Sequence, residues 1–120
     1  MDKYLLLLRE DPNQYASLSP DDMQALIERY RRWSNALAQQ GRLVEGHKLA
    51  DEGGKRLRAS ADQAIVTDGP YAELKDLIGG LFIIQAESYD DAVRLARDCP
   101  HLHTDNEIEL RRIETMDDER

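Results

Sequence analysis

The run Val66-Thr67-Asp68-Gly69-Pro70-Tyr71, followed by Gly79-Gly80-Leu81-Phe82-Ile83-Ile84, constrains this chain more than any other stretch. Glycine reaches backbone angles closed to other residues, while proline fixes its own φ and keeps the residue before it out of a helix. The β-branched pair Val66-Thr67 must therefore end at the Asp-Gly-Pro break, and the chain turns again at Gly79-Gly80. The expectation is a strand, then a shaped excursion with a short helical turn, a Gly79-Gly80 hinge and an all-apolar strand over Leu81–Ile84. Asp68, Tyr71, Glu73 and Lys75 ride on that excursion.

The flanking elements read out in order. Tyr4–Leu8 is a continuous apolar run, the pattern of a strand covered on both faces. Asp11-Pro12-Asn13 breaks it. Ser19-Pro20-Asp21-Asp22 is a helix start, with serine as N-cap, proline at the first helical position and acids against the helix dipole. Met23, Leu26, Ile27, Tyr30, Trp33 and Leu37 recur at helical spacing until Gly41. Arg42–Leu49 reads as a strand with Leu43, His47 and Leu49 on one face and Val44, Gly46 and Lys48 on the other. Two short strands, Lys55–Arg58 and Gln63–Thr67, flank Ala59–Asp62. Ser88 caps a second helix with Asp91 three residues on, and Ala92, Val93, Leu95, Ala96 and Cys99 form its buried stripe. Pro100 ends that helix, and Ile108–Ile113 is the last strand. A chain of 120 residues is one domain, set at 1–114, with 115–120 a frayed acidic tail.

The resulting order is β-α-β, a hairpin insert, then β-α-β: an α+β fold of ferredoxin-like arrangement. Its first and third main strands are central, and those are the two runs here that are apolar on both faces. Two helices cover one face of such a sheet only. The other face keeps large apolar side chains, whose exposure costs about 25 cal/mol per Å². A second copy presenting the same face is the simplest cover, so a homodimer through the sheet faces is expected.

Charge and cysteine usage narrow the partners. A net charge of −8 argues against nucleic acid and anionic membranes as partners, since phosphates need a basic stripe. The nearest approach to one, Arg29, Arg31 and Arg32, is diluted by acids. One cysteine, Cys99, forms no internal disulfide, and the four leucines after Tyr4 are too few for a signal peptide or membrane span. A cytoplasmic domain is the expectation.

The motif Val66-Thr67-Asp68-Gly69-Pro70-Tyr71 with Glu73, Lys75 and Gly79-Gly80 resembles the signature of the YCII-related, or DGPF-motif, family, with Tyr71 in place of the usual phenylalanine. The resemblance extends to Gly41-Arg42-Leu43-Val44, Asp51-Glu52-Gly53-Gly54, Asp98-Cys99-Pro100-His101-Leu102 and Ile108-Glu109-Leu110-Arg111, and so covers nearly the whole chain. It implies a dimeric α/β barrel of ferredoxin-like protomers with a cleft between sheet and helices or at the dimer interface. A His–Asp dyad has been suggested for some relatives, while others occur beside sigma-factor genes. This chain departs from that dyad. Its first helix has Glu28, Arg29, Tyr30 and Trp33 and no histidine, and Cys99 stands where the aspartate before the proline is expected. Relatives sharing Cys-Pro-His-Leu make His101 the more natural candidate. Asp105-Asn106 replace the usual glycines before the last strand.

Each chemical group has a dull reading beside the functional one. His101, His103, Asp105 and Glu107 alternate, and in an extended segment would face one way as for a transition metal; a plain polar loop is the other reading, and no metal is expected. His101 titrates near neutrality and is a candidate acid or base, or a cap on the second helix. Asp68 is a candidate to orient it, or simply fixes its own turn. Glu73 and Lys75, with His47 and Lys48, are candidates to bind a small anionic ligand, or form a solvated charged turn. Tyr71 belongs with this cleft set. Tyr30 and Trp33 read as core, with an edge of Trp33 free to line a cleft. Cys99 reads as an inert buried thiol. No phosphate loop, dinucleotide fingerprint, Gly-x-Ser-x-Gly or Cys-x-x-Cys occurs, so no cofactor is expected.

Two functional readings follow. In the first, a small polar or aromatic molecule binds in a cleft lined by the Asp68–Lys75 loop, His47, Lys48 and His101, with cofactor-independent acid–base chemistry there. In the second, the chain is a regulatory or protein-interaction module, for example transcription-associated, with a filled interior.

Overall fold

Alternation along the first apolar run decides the sheet. In the computed structural model, which describes residues 1–69, 77–103 and 105–115 (Pro12 and His103 by backbone alone), this run is strand β1, Asp2–Glu10. Tyr4, Leu6, Leu8 and Glu10 are buried on one face, and Leu5, Leu7 and Arg9 are half-buried on the other. Both faces are thus apolar, but only one is fully covered.

Helix α1, Pro20–Gln39, begins as expected: Ser19 Oγ accepts from Asp22 N–H at 3.0 Å, with Pro20 at the first position. Gly41 ends it with φ +71°, a backbone conformation other residues rarely adopt. Strands β2 (Leu43–Lys48), β3 (Lys55–Ser60) and β4 (Gln63–Asp68) follow, then β5 (Leu77–Ala86), α2 (Tyr89–Ala96) and β6 (Glu107–Ile113). The main sheet has order β2-β5-β1-β6, every neighbouring pair antiparallel. This is the ferredoxin-like arrangement, with β1 and β5 central as the doubly apolar runs require. β3 and β4 form a separate two-stranded ribbon inserted between β2 and β5. Its turn places Ala61 at φ +53°, and Leu57 and Val66 are exposed.

Several local expectations are corrected. Gly79-Gly80 lies inside β5 rather than at a hinge before it. A register shift between Leu43 and Glu45 puts a bulge in β2, so Leu43 shares the helix-facing side with Gly46 and Lys48 instead of with His47. Val93 is exposed rather than part of the buried stripe of α2, which consists of Ala92, Leu95 and Ala96, with Cys99 buried beyond it. Pro100–His103 forms a 3-10 turn, so the period-two alignment imagined for His101 and its neighbours does not hold. The helical turn expected after Pro70 lies outside the described residues, as does the acidic end from Met116. No described helix is long and apolar enough to cross a membrane.

The core lies between the sheet and both helices: Tyr4, Leu6, Trp33, Leu37, Ile84, Ala86, Ala92, Leu95, Ala96 and Cys99. One carboxylate joins its two βα halves. Asp91 accepts from the Glu87 N–H (3.0 Å), from Arg42 Nη1 (2.7 Å) and from Arg94 Nη2 (2.7 Å). The Glu87 amide first, and then the two guanidiniums, hold its carboxyl well below the ordinary value of 3.8. A depressed folded-state value means this stabilisation is present above the unfolded value and fades as pH falls through the folded one. Asp91→Asn is therefore expected to lower the thermal midpoint at neutral pH. Calorimetry across acid pH should show the gap from wild type closing below 3.8.

Candidate functional site

Three glycines leave the helix-facing floor of the sheet without side chains beneath the first half of α1: Gly46 on β2, and Gly79 and Gly80 on β5. A cavity of about 790 Å³ opens there. Leu8, Met23, Leu26, Ile27 and Phe82 supply its apolar walls, and Glu10, Tyr15, Tyr30, Lys48 and Asp51 its polar groups. The Phe82 ring lies over Gly46, so that a Cβ at position 46 would meet the ring at 2.5 Å. Trp33 packs edge-on behind it, ring centroids 5.0 Å apart.

The floor is shaped by a bulge. Leu8 pairs with Gly80 and Arg9 with Ile78, which leaves Gly79 as the extra residue of β5. The Glu10 carboxyl fills the space a side chain at 79 would need. Glu10 is only 9% exposed and accepts no hydrogen bond among the described residues. Burial raises its pKa above the ordinary 4.5; the positive charge of Lys48 opposes the rise and the negative charge of Asp51 adds to it. Lys48 Nζ is itself engaged, donating to Leu49 O at 2.8 Å and to Asp51 Oδ1 at 2.9 Å. No basic side chain on β5 faces Glu10, where Gly79 and Gly80 stand.

The opposite wall carries a buried relay. His101 Nε2 lies 2.7 Å from the Arg9 carbonyl, which can only accept, so Nε2 carries a proton. Burial lowers the His101 pKa, against opposing backbone bonds from Arg9 and Glu107, and so favours the neutral ring. Nδ1 then accepts from the Tyr30 hydroxyl, 3.0 Å away. Tyr30 thus spends its proton on His101 and presents lone pairs to the cavity. Its own pKa is pushed far up, chiefly by burial. Tyr15, whose phenol burial also raises, accepts at Oη from Asn106 Nδ2 at 3.2 Å. Asn106 therefore anchors the 3-10 turn Pro12–Tyr15, whose Tyr15 lines the cavity.

The structure brings only part of the expected set together. Lys48 reaches the cavity. His47 borders it, but its Nε2–H donates to Glu45 Oε2 at 2.7 Å, on the face of β2 opposite Lys48. Trp33 is buried behind Phe82 with Nε1–H on the Leu95 carbonyl at 3.2 Å, so it does not line the cavity. His101 stands one side chain back, behind Tyr30. Asp68 is on the β3–β4 ribbon, its carboxylate on Lys55, and makes no contact with His101. Tyr71, Glu73 and Lys75 lie outside the described residues. Burial pushes the Cys99 thiol up to about 11, away from reactive thiolate character. Among the described residues no cluster of three or more His, Cys, Asp or Glu is placed to hold a metal.

Glu10, Tyr15 and Tyr30 were missed by reading the sequence for motifs. The signal for Glu10 was present: continuing the period of Tyr4, Leu6 and Leu8 by one step puts a carboxylate on the buried face.

With sheet order, bulge and cavity in hand, the chain takes its place among the small ferredoxin-like α+β domains. It belongs to the YCII-related domain family, whose pattern matches residues 2–117. It is 48% identical over 42 residues to an uncharacterized protein of Rhizobium meliloti (strain 1021), a stretch covering 35% of this chain and 34% of that relative's length. It is also similar to a solved structure, 5-chloro-2-hydroxyhydroquinone dehydrochlorinase (TftG) from Burkholderia phenoliruptrix AC1100 in complex with 2,5-dihydroxybenzoquinone. That likeness has a TM-score of 0.39 and 19% identity over 89% of this chain and 90% of that one.

The raised pKa of Glu10 carries a stability consequence. A carboxyl whose folded value lies above its unfolded one contributes stability below the unfolded value and loses it as pH rises through the folded one. Glu10→Gln removes the buried charge, so at pH 7 the variant should be more stable than wild type by about 1 kcal/mol in urea unfolding. That advantage should vanish below pH 4.5, where the carboxyl is neutral in both states.

Proposed function

We propose that this YCII-related protein binds a small molecule with an apolar body and a polar end between α1 and the sheet, and moves a proton at Tyr30 with His101 behind it. The observation that carries this reading is the cavity itself. Its roughly 790 Å³ falls in the range of sites for small ligands, about 300–1,000 Å³, and its apolar walls converge on a few polar groups. A regulatory module with a filled interior leaves such a space without a use.

The chemistry follows from the relay. A ligand O–H or N–H bonded to the Tyr30 oxygen passes its proton to Oη, while the phenolic proton moves to His101 Nδ1. The Nε2–H bond to the Arg9 carbonyl stabilises the imidazolium that results. His101 is then a positioning and proton-holding residue, and Tyr30 the one that touches the ligand. Reversal of the same two transfers returns the proton.

The test is a nuclear magnetic resonance screen of labelled protein against a mixed metabolite library. Saturable shifts should cluster on Phe82, Tyr30 and Lys48, and the same ligand should shift the His101 ring nitrogens in wild type but not in Tyr30→Phe. Shifts confined to the β3–β4 ribbon or to the open sheet face would overturn the reading.

We further propose that the open sheet face pairs with the same face of a second copy. Leu5, Leu7, Leu81 and Ile83 stand half-buried side by side there, flanked by the Arg9–Glu109 ion pair at 2.9 Å. Sedimentation at micromolar concentration should give a dimer, and Leu7→Glu a monomer; a monomeric wild type would sink the proposal.

A further inference from the structure

We infer that the cavity takes an organic cation, a primary or secondary amine carried on an apolar or aromatic body, with Glu10 as its counter-ion. The inference rests on the cavity being a ligand site and adds the charge and chemical class of the ligand.

The first support is the state of Glu10. Its side chain is 9% exposed, lines the cavity and accepts no hydrogen bond among the described residues. Buried carboxylates in proteins are ordinarily paired or bonded. The bulge residue Gly79 leaves the room in which this carboxyl sits. The fold thus keeps an acceptor in place beside an open space.

The second support is that the cation at hand is already engaged. Lys48 Nζ donates to the Leu49 carbonyl and to Asp51, and makes no ion pair with Glu10. With Glu10 ionised, the described lining of the cavity carries two carboxylates, Glu10 and Asp51, against one ammonium, Lys48. That field repels an anion and attracts a cation, contrary to the anionic ligand expected from His47, Lys48, Glu73 and Lys75.

The third support is the orientation of Tyr30. Because its proton is given to His101, its oxygen offers the cavity acceptor capacity only. Two acceptors, Glu10 and Tyr30, therefore face the same space, which suits an ammonium group with several N–H donors. The ring of Phe82 and the alkyl walls of Leu26 and Ile27 suit the body of such a molecule.

The test uses three probes of one shape and different charge: phenethylamine, phenethyl alcohol and hydrocinnamate. Each is titrated at pH 7 into the full chain and followed by the Phe82 and Tyr30 resonances. The amine should bind about tenfold or more tightly than the alcohol, and hydrocinnamate most weakly. Glu10→Gln should lose that amine preference while keeping its affinity for the alcohol. The wild-type comparison stands by itself if the variant folds poorly. Alcohol or hydrocinnamate binding in the cavity as tightly as the amine would overturn the cation assignment and leave the ligand site standing. No cavity shift with any of the three would overturn both.

Discussion

The antiparallel pairing of β1 with β5 is the constraint on which the rest of the molecule depends. It runs from Asp2 opposite Ala86 to Glu10 opposite Leu77, and its one irregularity lies between Leu8 and Arg9. Before the bulge, regular alternation buries Tyr4, Leu6 and Ile84 under the two helices. After it, the extra residue Gly79 opens room for Glu10, and the Arg9 carbonyl is bonded by His101. The same two strands therefore build a filled core at one end and a cavity at the other. A one-residue change of register along β5 is enough to separate the two.

Around the cavity, polar groups are held from elements far apart in the chain. His101, in the 3-10 turn after α2, bonds to β1 through Arg9 and to α1 through Tyr30. Asn106, before β6, holds Tyr15. Each of these bonds answers a buried polar group that would otherwise cost free energy, so the walls are satisfied by the protein itself. Glu10 is the exception: its carboxyl accepts no hydrogen bond among the described residues and opens onto the cavity, and partial burial raises its pKa. Unreleased costs of this kind concentrate where a protein meets a ligand.

Much of the fold is legible in the sequence. Ser19-Pro20 and Ser88 mark helix starts because capping is a local hydrogen bond, and both Ser side chains make it. Tyr4–Leu8 and Leu81–Ile84 read as central strands because both runs are apolar on both faces, and both are central in the sheet. The site was less legible. Lys48 was found, yet His47 was grouped with it although neighbours in a strand point to opposite faces. Trp33 was placed near a ligand, but the Phe82 ring over Gly46 stands between. His101 was singled out, and its action through Tyr30 was not visible because the two lie on separate elements.

The sequence by itself determined the order of elements, the caps, the ferredoxin-like sheet and the family, since all of these follow from short-range periodicity, turn chemistry and the Asp68–Gly80 motif. Only the tertiary structure decided where side chains were missing. Two bulges, at Val44 and at Gly79, reset which residues share a face, and neither leaves a mark in the hydrophobic pattern. A cavity is defined by what distant elements fail to fill. Its place under α1, and the meeting of Glu10 from β1 with Tyr30 from α1 in one space, are properties of packing that no local run of residues contains.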